Sequence, residues 1–594
     1  MANRCYPAIA GILLILSVTA ALSEPGELRY RVYIEGVSRD LRLELRDISD
    51  AVAFMNKPPA SKILLRRRAE RDIDRFRQHL RTYAYYDARI SVRVDTERTP
   101  VRVYFDVEKG PLYELREVTL DWRDRPEEGE DRLDLPTPAR LGLRIGDPAG
   151  ATDIRNAENN LVAFLKRRGF PFARVQDREV VVDHRTRDVS VTYAFESGPV
   201  AEFGTTEIRG LDRLKEDYLR RQIPWSPGDP YNHDTVRRLQ RRLIESQLYA
   251  SVRVAGDEAL DEDGRLPMVL DLQERKPRSV GIGIRYATDE GWGGKFTWEH
   301  RNRFGRGERL DLSGLLTEIG YAVELGFRKP DFVVLDQILR MTLRLSEEDT
   351  DAFVSRNYRL SAMLERQITR ELVLGQGIGF KYSEVDQLDR LDRFSLLSFP
   401  AQLDWDTSND LFHPTRGGRL SLRGVPFLDV SDTDLHFLRG RAGYTRYVRV
   451  RRRPEMVLAG RVMAGSIVGV SRENVPADER FYAGGGGSVR GYAYQSVGPL
   501  EGDVPLGGRS LLVMSAEWRV RATERIGFSI FTDGGSVYED AVPRMGEDMR
   551  WGTGAGLRYF TPIGPLRLDV AVPLNRRREI DDSFQIYISI GQAF

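Results

Sequence analysis

Two kinds of hydrophobic pattern divide the chain. Up to about residue 277 apolar side chains recur at spacings of three and four, as on one face of a helix; beyond it they alternate with polar ones, as on one face of a strand. In the first part three segments share one order: a strand, a helical stretch, a second helix, then two strands. The second helix of the first segment carries Leu65, Ala69, Ile73, Phe76 and Leu80 on one face. That of the second carries Ile154, Ala157, Leu161 and Leu165, with Thr152 and Asp153 as candidate N-caps. That of the third carries Val236, Leu239 and Leu243 behind Asp234.

Each of these helices ends alike, in an aromatic hinge that leads into a strand: Tyr85-Tyr86-Asp87, Phe170-Pro171-Phe172 and Leu248-Tyr249-Ala250. The closing strands also match, at Val103 to Glu108, Val191 to Glu196 and Val269 to Glu274, and two of them run into Gly-Pro, at Gly110-Pro111 and Gly198-Pro199. A βααββ order met three times defines a repeat. It predicts modules at 28–110, 111–199 and 200–277.

From residue 278 to 594 the alternation is strict in many segments. Leu339, Met341, Leu343 and Leu345 alternate with Arg340, Thr342, Arg344 and Ser346; Tyr321, Val323, Leu325 and Phe327 with Ala322, Glu324, Gly326 and Arg328; Leu566, Leu568, Val570 and Val572 with Arg567, Asp569 and Ala571. In the last segment Phe584, Ile586, Ile588, Ile590 and Phe594 share one face, interrupted by Gln592. At roughly 20 residues per strand, turns included, this part holds about sixteen antiparallel strands. In a bilayer every backbone N–H and C=O needs an internal partner, so such a sheet has to close. The fold class expected is α+β modules followed by an all-β transmembrane barrel at 278–594.

Composition changes this picture little. Mean hydropathy is −0.42 and 30% of residues are charged. A barrel averages lipid-facing and lumen-facing residues, so neither value argues against a membrane. A net charge of +1 argues against an electrostatically driven nucleic-acid binder. Arg4 followed by the apolar stretch Ala8 to Ala21 reads as a secretory leader over residues 1–23, with cleavage near Ala21-Leu22-Ser23 or at Ala20. The one cysteine, Cys5, falls in that leader, so the processed protein would have no thiol for disulfides, metal thiolates or catalysis.

The chemistry gathers in one stretch, Arg480-Phe481-Tyr482-Ala483-Gly484-Gly485-Gly486-Gly487-Ser488-Val489-Arg490-Gly491-Tyr492. It sits within about 35 non-alternating residues, long for a loop without a role. A guanidinium held away from bulk water needs carboxylate partners. Alternation offers three on the inward face: Glu517 between Ala516 and Trp518, Asp533 beyond Ile530, and Asp569 between Leu568 and Val570. Phe531 falls on the same face.

The Val489-Arg490-Gly491-Tyr492 core resembles the lumenal loop of the BamA/TamA and two-partner-secretion superfamily, and Phe531-Thr532-Asp533-Gly534-Gly535 resembles that family's acidic strand motif. A last strand with a terminal aromatic is also what outer-membrane barrels show. Val280-Gly281-Ile282-Gly283-Ile284 looks like the first barrel strand. Asp404-Trp405-Asp406 with Pro414-Thr415-Arg416-Gly417-Gly418 resembles a mid-barrel strand and turn of the superfamily. The resemblance implies periplasmic POTRA modules, a Gram-negative outer-membrane barrel, and Arg490 held by Asp533 first, then Glu517 and Asp569.

The activity it implies is insertion of other outer-membrane proteins without a nucleotide or other cofactor. The seam would lie between the first strand, with Gly281 and Gly283, and the last, with Ile588, Ile590 and Phe594. Three modules favour the TamA branch, whose members assemble autotransporter-type clients with an inner-membrane-anchored, periplasm-spanning partner of the TamB type. Lipid transport to the outer membrane, and a pore exporting one dedicated exoprotein, remain open alternatives. No enzyme constellation is legible: His79, His184, His233, His300, His413 and His436 lack metal-ligand spacing, and the Gly484 to Gly487 run lacks the ending of a phosphate-binding loop.

Overall fold

The computed structural model describes residues 28–125, 134–287, 291–431, 435–544, 546, 549–561 and 564–590. The expected leader, Phe594 and the side chain of Ile590 lie outside the described residues. The chain forms two compact units, one from residues 1–207, 225–238 and 255–269, the other from 208–224, 239–254 and 270–594.

Three βααββ modules come first. The first comprises β1 (Tyr30–Glu35), α1 (Arg39–Ile48), α2 (Asp50–Ala53), α3 (Lys62–Arg81), β2 (Arg89–Asp95) and β3 (Val101–Glu108). The second comprises β4 (Glu114–Trp122), α4 (Pro138–Leu141), α5 (Ala151–Arg167), β5 (Arg174–Asp183) and β6 (Asp188–Glu196). The third comprises β7 (Glu202–Arg209), α6 (Glu216–Arg220), α7 (His233–Glu245), β8 (Tyr249–Gly256) and β9 (Arg265–Glu274). In each the closing strand is central, in the orders β1-β3-β2, β4-β6-β5 and β7-β9-β8. β1 and β3 run parallel, as do β4 and β6. Parallel neighbours require a long crossover, which the helices supply.

Leu65, Ala69, Phe76 and Leu80 of α3 are fully buried and share a core with Val103 and Phe105. Ile73, expected on that face, is only half-buried, and Asp72 is buried beside it. The reason is a cap. The Asp72 carboxylate accepts from Ser49 Oγ at 2.6 Å and from the N–H groups of Asp50 and Ala51 at 2.9 Å, closing the N-terminus of α2. The helix starts also differ from expectation. α5 begins behind Gly150, so Thr152 and Asp153 lie inside its first turn, where Asp153 suits the helix dipole. Asn232, ahead of α7, accepts from the N–H of Asp234 at 2.9 Å, so the capping oxygen comes from Asn232.

The second unit holds one large antiparallel sheet. Its strands are β10 (Arg278–Ala287), β11 (Gly291–His300), β12 (Arg309–Thr317), β13 (Gly320–Lys329), β14 (Gln337–Asp349), β15 (Val354–Gln367), β16 (Leu372–Gln387), β17 (Arg390–Ser398), β18 (Ala401–Asp406), β19 (Gly417–Asp429), β20 (His436–Arg452) and β21 (Glu455–Val468). After a long insertion with a small hairpin, β22 (Leu500–Glu501) and β23 (Val504–Pro505), follow β24 (Ser510–Arg521), β25 (Ile526–Tyr538), β26 (Arg550–Thr561), β27 (Gly564–Pro573) and β28 (Gln585–Ile590).

β17 and β18 both pair with β16 and with β19. They are one strand interrupted at Pro400, which has no N–H to give. The ladder carries across the break: Gly377 N–H donates to Pro400 O at 2.9 Å and Phe399 N–H to Pro426 O at 3.1 Å. Counted so, the described residues form sixteen barrel strands. β10 and β28 lie side by side. Among the described residues the ladder runs from β10 to β28 without a paired register between those two.

The outer face is apolar. Tyr321, Val323 and Leu325 of β13 and Leu566, Leu568, Val570 and Val572 of β27 all stand exposed on it, and their polar alternates face the lumen. Among the described residues no helix is long and apolar enough to cross a membrane. Crossing falls to the strands.

Candidate functional site

Between β21 and β24 the chain folds inward onto the lumenal side of its own wall. The loop has an internal framework. Phe481 and Gly508 exchange backbone hydrogen bonds at 2.9 and 3.0 Å, Val497 N–H donates to Ala483 O at 2.8 Å, and Gly485 N–H donates to Tyr492 O at 3.0 Å. Phe481, Ala483, Val489 and Tyr492 are buried together with Met463, Ile467, Leu511, Val513 and Val537. Those wall residues are the inward alternates of β21, β24 and β25. The glycine-rich stretch is therefore packed.

Arg490 is 2% exposed. Its Nε and Nη2 donate to Asp533 Oδ2 and Oδ1 at 2.6 and 3.0 Å, and its Nη1 donates to Glu517 Oε2 at 3.2 Å and Asp569 Oδ2 at 3.1 Å. Its backbone N–H reaches Asp533 Oδ2 at 3.2 Å. The guanidinium carbon stacks 3.4 Å from the centroid of the Phe531 ring, a cation–π contact. Strands β24, β25 and β27 thus deliver three carboxylates to one side chain. Burial disfavours the charged guanidinium, but Asp533, Glu517 and Asp569 outweigh it and hold its pKa above the ordinary arginine value.

The neighbours of Arg490 complete the fit. Gly491 has φ +103°, and a Cβ there would lie 3.0 Å from the backbone carbon of Val572, so a side chain is excluded on both counts. Its N–H donates to Tyr587 Oη at 3.0 Å, and that hydroxyl donates to Tyr492 O at 3.1 Å. Tyr492 Oη donates to Asn575 Oδ1 at 2.7 Å. Tyr587 stands on β28, so the loop is bonded to an end strand of the sheet.

Sequence reasoning did not single out Arg519, Arg558 and Arg567. Arg519 Nε lies 3.1 Å from Glu517, Arg558 Nη2 lies 3.1 Å from Glu517 and its Nη1 pairs with Asp569, and Arg567 Nε lies 3.5 Å from Asp569. With Arg490, four guanidiniums share three carboxylates. Their signal was present, since Arg519 and Arg567 each stand two residues from an inward carboxylate and so share its face. Gly281, Gly283 and Ile588 do not join this cluster; they lie on β10 and β28, with Ile588 exposed on the outer face. Among the described residues no three His, Cys, Asp or Glu side chains are grouped to hold a metal ion.

A family model described as the Omp85 superfamily domain matches residues 302–594, and one described as POTRA, surface antigen variable number repeat, matches 201–275. The chain belongs to the BamA/TamA outer-membrane assembly superfamily. Outer membrane protein assembly factor BamA of Nitratidesulfovibrio vulgaris is 23% identical over 95% of this chain and 73% of its own length. The protein of the same name from Neisseria meningitidis serogroup B is 19% identical over 88% of this chain and 72% of its own length. Among solved structures, BamA from Haemophilus ducreyi lacking POTRA domains 1–3 superposes with a TM-score of 0.65 at 19% identity, covering 80% of this chain and 99% of that one. At such identity the likeness speaks for the fold. As a superfamily member the chain places its barrel in the Gram-negative outer membrane and its N-terminal modules in the periplasm.

Proposed function

We propose that this chain is an assembly factor that inserts β-barrel clients of the autotransporter type into the outer membrane through the seam between β10 and β28, without nucleotide. The observation that carries the reading is the pair of strands that lie side by side at the two ends of the ladder, one of them bonded through Tyr587 to the clasped loop. A strand edge there can template an incoming strand by β-augmentation. Backbone N–H and C=O groups of that edge can pair with those of the client, so templating needs no external energy source.

Within the barrel unit, α6 and the part of α7 from Leu239 onward are tied to two turns of the sheet. Lys215 N–H donates to Gly305 O at 2.8 Å, Arg306 Nη2 lies 2.7 Å from Asp217, and Arg242 Nη2 lies 3.0 Å from Asp336. A load on these helices reaches the β11–β12 and β13–β14 turns directly. Three periplasmic modules support a partner of the TamB type, anchored in the inner membrane and spanning the periplasm.

The test is a lock. Cysteines replace one outward residue of β10, Ile282 or Ile284, and one of β28, Ile586 or Ile588, in a Cys5→Ser background. Insertion of an unfolded autotransporter barrel into proteoliposomes is followed by protease protection in the absence of nucleotide. Oxidation should abolish insertion and reductant should restore it. Insertion that proceeds unchanged with the disulfide formed sinks the seam mechanism and leaves export of an exoprotein, or lipid transport, as the better reading.

A further inference from the structure

The loop meets the barrel wall at a second place, with the charges reversed. A single 3-10 turn, Ala477–Glu479, carries Asp478 and Glu479 against β15, β16 and β20, none of which contributes to the Arg490 clasp on β24, β25 and β27. Glu479, 2% exposed, accepts from Lys381 Nζ of β16 at 2.7 Å, from Arg359 Nη2 of β15 at 3.0 Å and from Arg439 Nη1 of β20 at 3.4 Å. Lys381, 3% exposed, also donates to Asp478 Oδ2 at 2.6 Å. All three cations are inward alternates of their strands.

Placing a lysine and two carboxylates out of contact with water is costly unless each is paired, and here each is. Burial alone would raise the Glu479 carboxyl, but Lys381, Arg439 and Arg359 outweigh it and hold it down to about 2. The pairing is thus ionic at any physiological pH. At one end of the loop an anion enters a cationic wall; eleven residues on, a cation enters an anionic wall. A segment of that length would reach about 36 Å if extended, but here it is packed through Phe481, Ala483 and Val489, so the position of one end is passed to the other.

We infer that Glu479, with Asp478, is a positioning residue: its tether to Lys381 fixes the approach of the loop so that Arg490 enters its carboxylate pocket, and the two tethers together hold the loop across the lumen. The inference rests on the reading of the chain as an insertion factor only for what a held loop is for, not for its geometry.

Its test reads loop position. Val489 is fully buried beside the clasp, so Val489→Cys in a Cys5→Ser background reports unseating through maleimide labelling of the full-length protein in proteoliposomes. Heat-modifiable gel migration confirms a folded barrel in each variant. Glu479→Gln and Lys381→Gln should each label about tenfold faster than the parent, the size of one lost charge-assisted hydrogen bond. The exchange Glu479→Lys with Lys381→Glu should restore part of the protection. Folded Glu479→Gln and Lys381→Gln proteins that both label at the parental rate overturn the tether. Faster labelling with client insertion unchanged upholds the tether and counts against the insertion reading instead.

Discussion

Gly552→Ala is a small change with a large expected effect. A Cβ on Gly552 would lie 1.9 Å from the carbonyl oxygen of Arg490 and 3.1 Å from its carbonyl carbon. Ordinary contact begins near 3.4 Å, so the backbone of Arg490 must retreat by about 1.5 Å or β26 must bow away; both neighbours are main chain, and neither yields cheaply. A shift of that size stretches the contacts to Asp533, Glu517 and Asp569, now 2.6 to 3.2 Å, beyond hydrogen-bonding reach. Parting a buried charge from its partners costs about 3–5 kcal/mol. The loop should therefore leave the clasp, and the barrel should lose about that much stability. Denaturant unfolding of the refolded barrel in lipid, followed by heat-modifiable migration, measures it. Gly443→Ala is the control: it too faces the lumen, from β20, and a Cβ there meets nothing within 4 Å. If Gly552→Ala unfolds at the same midpoint as Gly443→Ala, the close approach of Arg490 to β26 is not what holds the loop.

Arg490→Lys should cost about 3–5 kcal/mol by the same unfolding measurement, because an ammonium cannot hold Asp533 bidentately while reaching Glu517 and Asp569; Arg490→Asp paired with Asp533→Arg should recover part of the loss, and a lysine as stable as arginine would refute the fork geometry. In the first module Asp72→Asn turns an amide donor toward a group of donors at the start of α2, and it should speed hydrogen exchange of the Asp50 and Ala51 amides by about tenfold, equivalent to about 1–2 kcal/mol for a lost cap. The Glu479 carboxyl is depressed in the folded loop, so its contribution is complete above the unfolded value near 4.3 and is lost as pH falls toward about 2. Planar-bilayer conductance should accordingly stay low from pH 7 to about 4.5 and rise below it; opening centred near pH 6 would point to another group.

Sequence alone determined the architecture and one site in outline. The period of three and four along Leu65 to Leu80, Ile154 to Leu165 and Val236 to Leu243 can be satisfied only by helices against a sheet, and strict alternation after residue 278 only by strands with two unlike faces. Parity then put Glu517, Asp533, Phe531 and Asp569 on the lumenal side, because a side chain's face in a strand depends only on odd or even position. The structure brings all four to Arg490.

What parity does not carry is distance between strands. Nothing local marks Lys381, Arg359 and Arg439 as partners of Glu479, since which lumenal residues meet a loop depends on where the closed sheet curves past it. The same holds for Gly552. It is one of three alternating glycines and, read along the chain, merely a thin stretch of wall. Only the inward fold of the loop gives its missing side chain a purpose, the space through which the Arg490 backbone approaches β26. Asp72 makes the point in the first module: its place on a mostly apolar helix face looks like an error of pattern until Ser49, Asp50 and Ala51 are brought opposite it. Pattern fixes which face a residue takes, and the tertiary fold alone decides what it meets there, because partners such as Ser49 and Asp72, or Arg359 and Glu479, lie 23 and 120 residues apart along the chain.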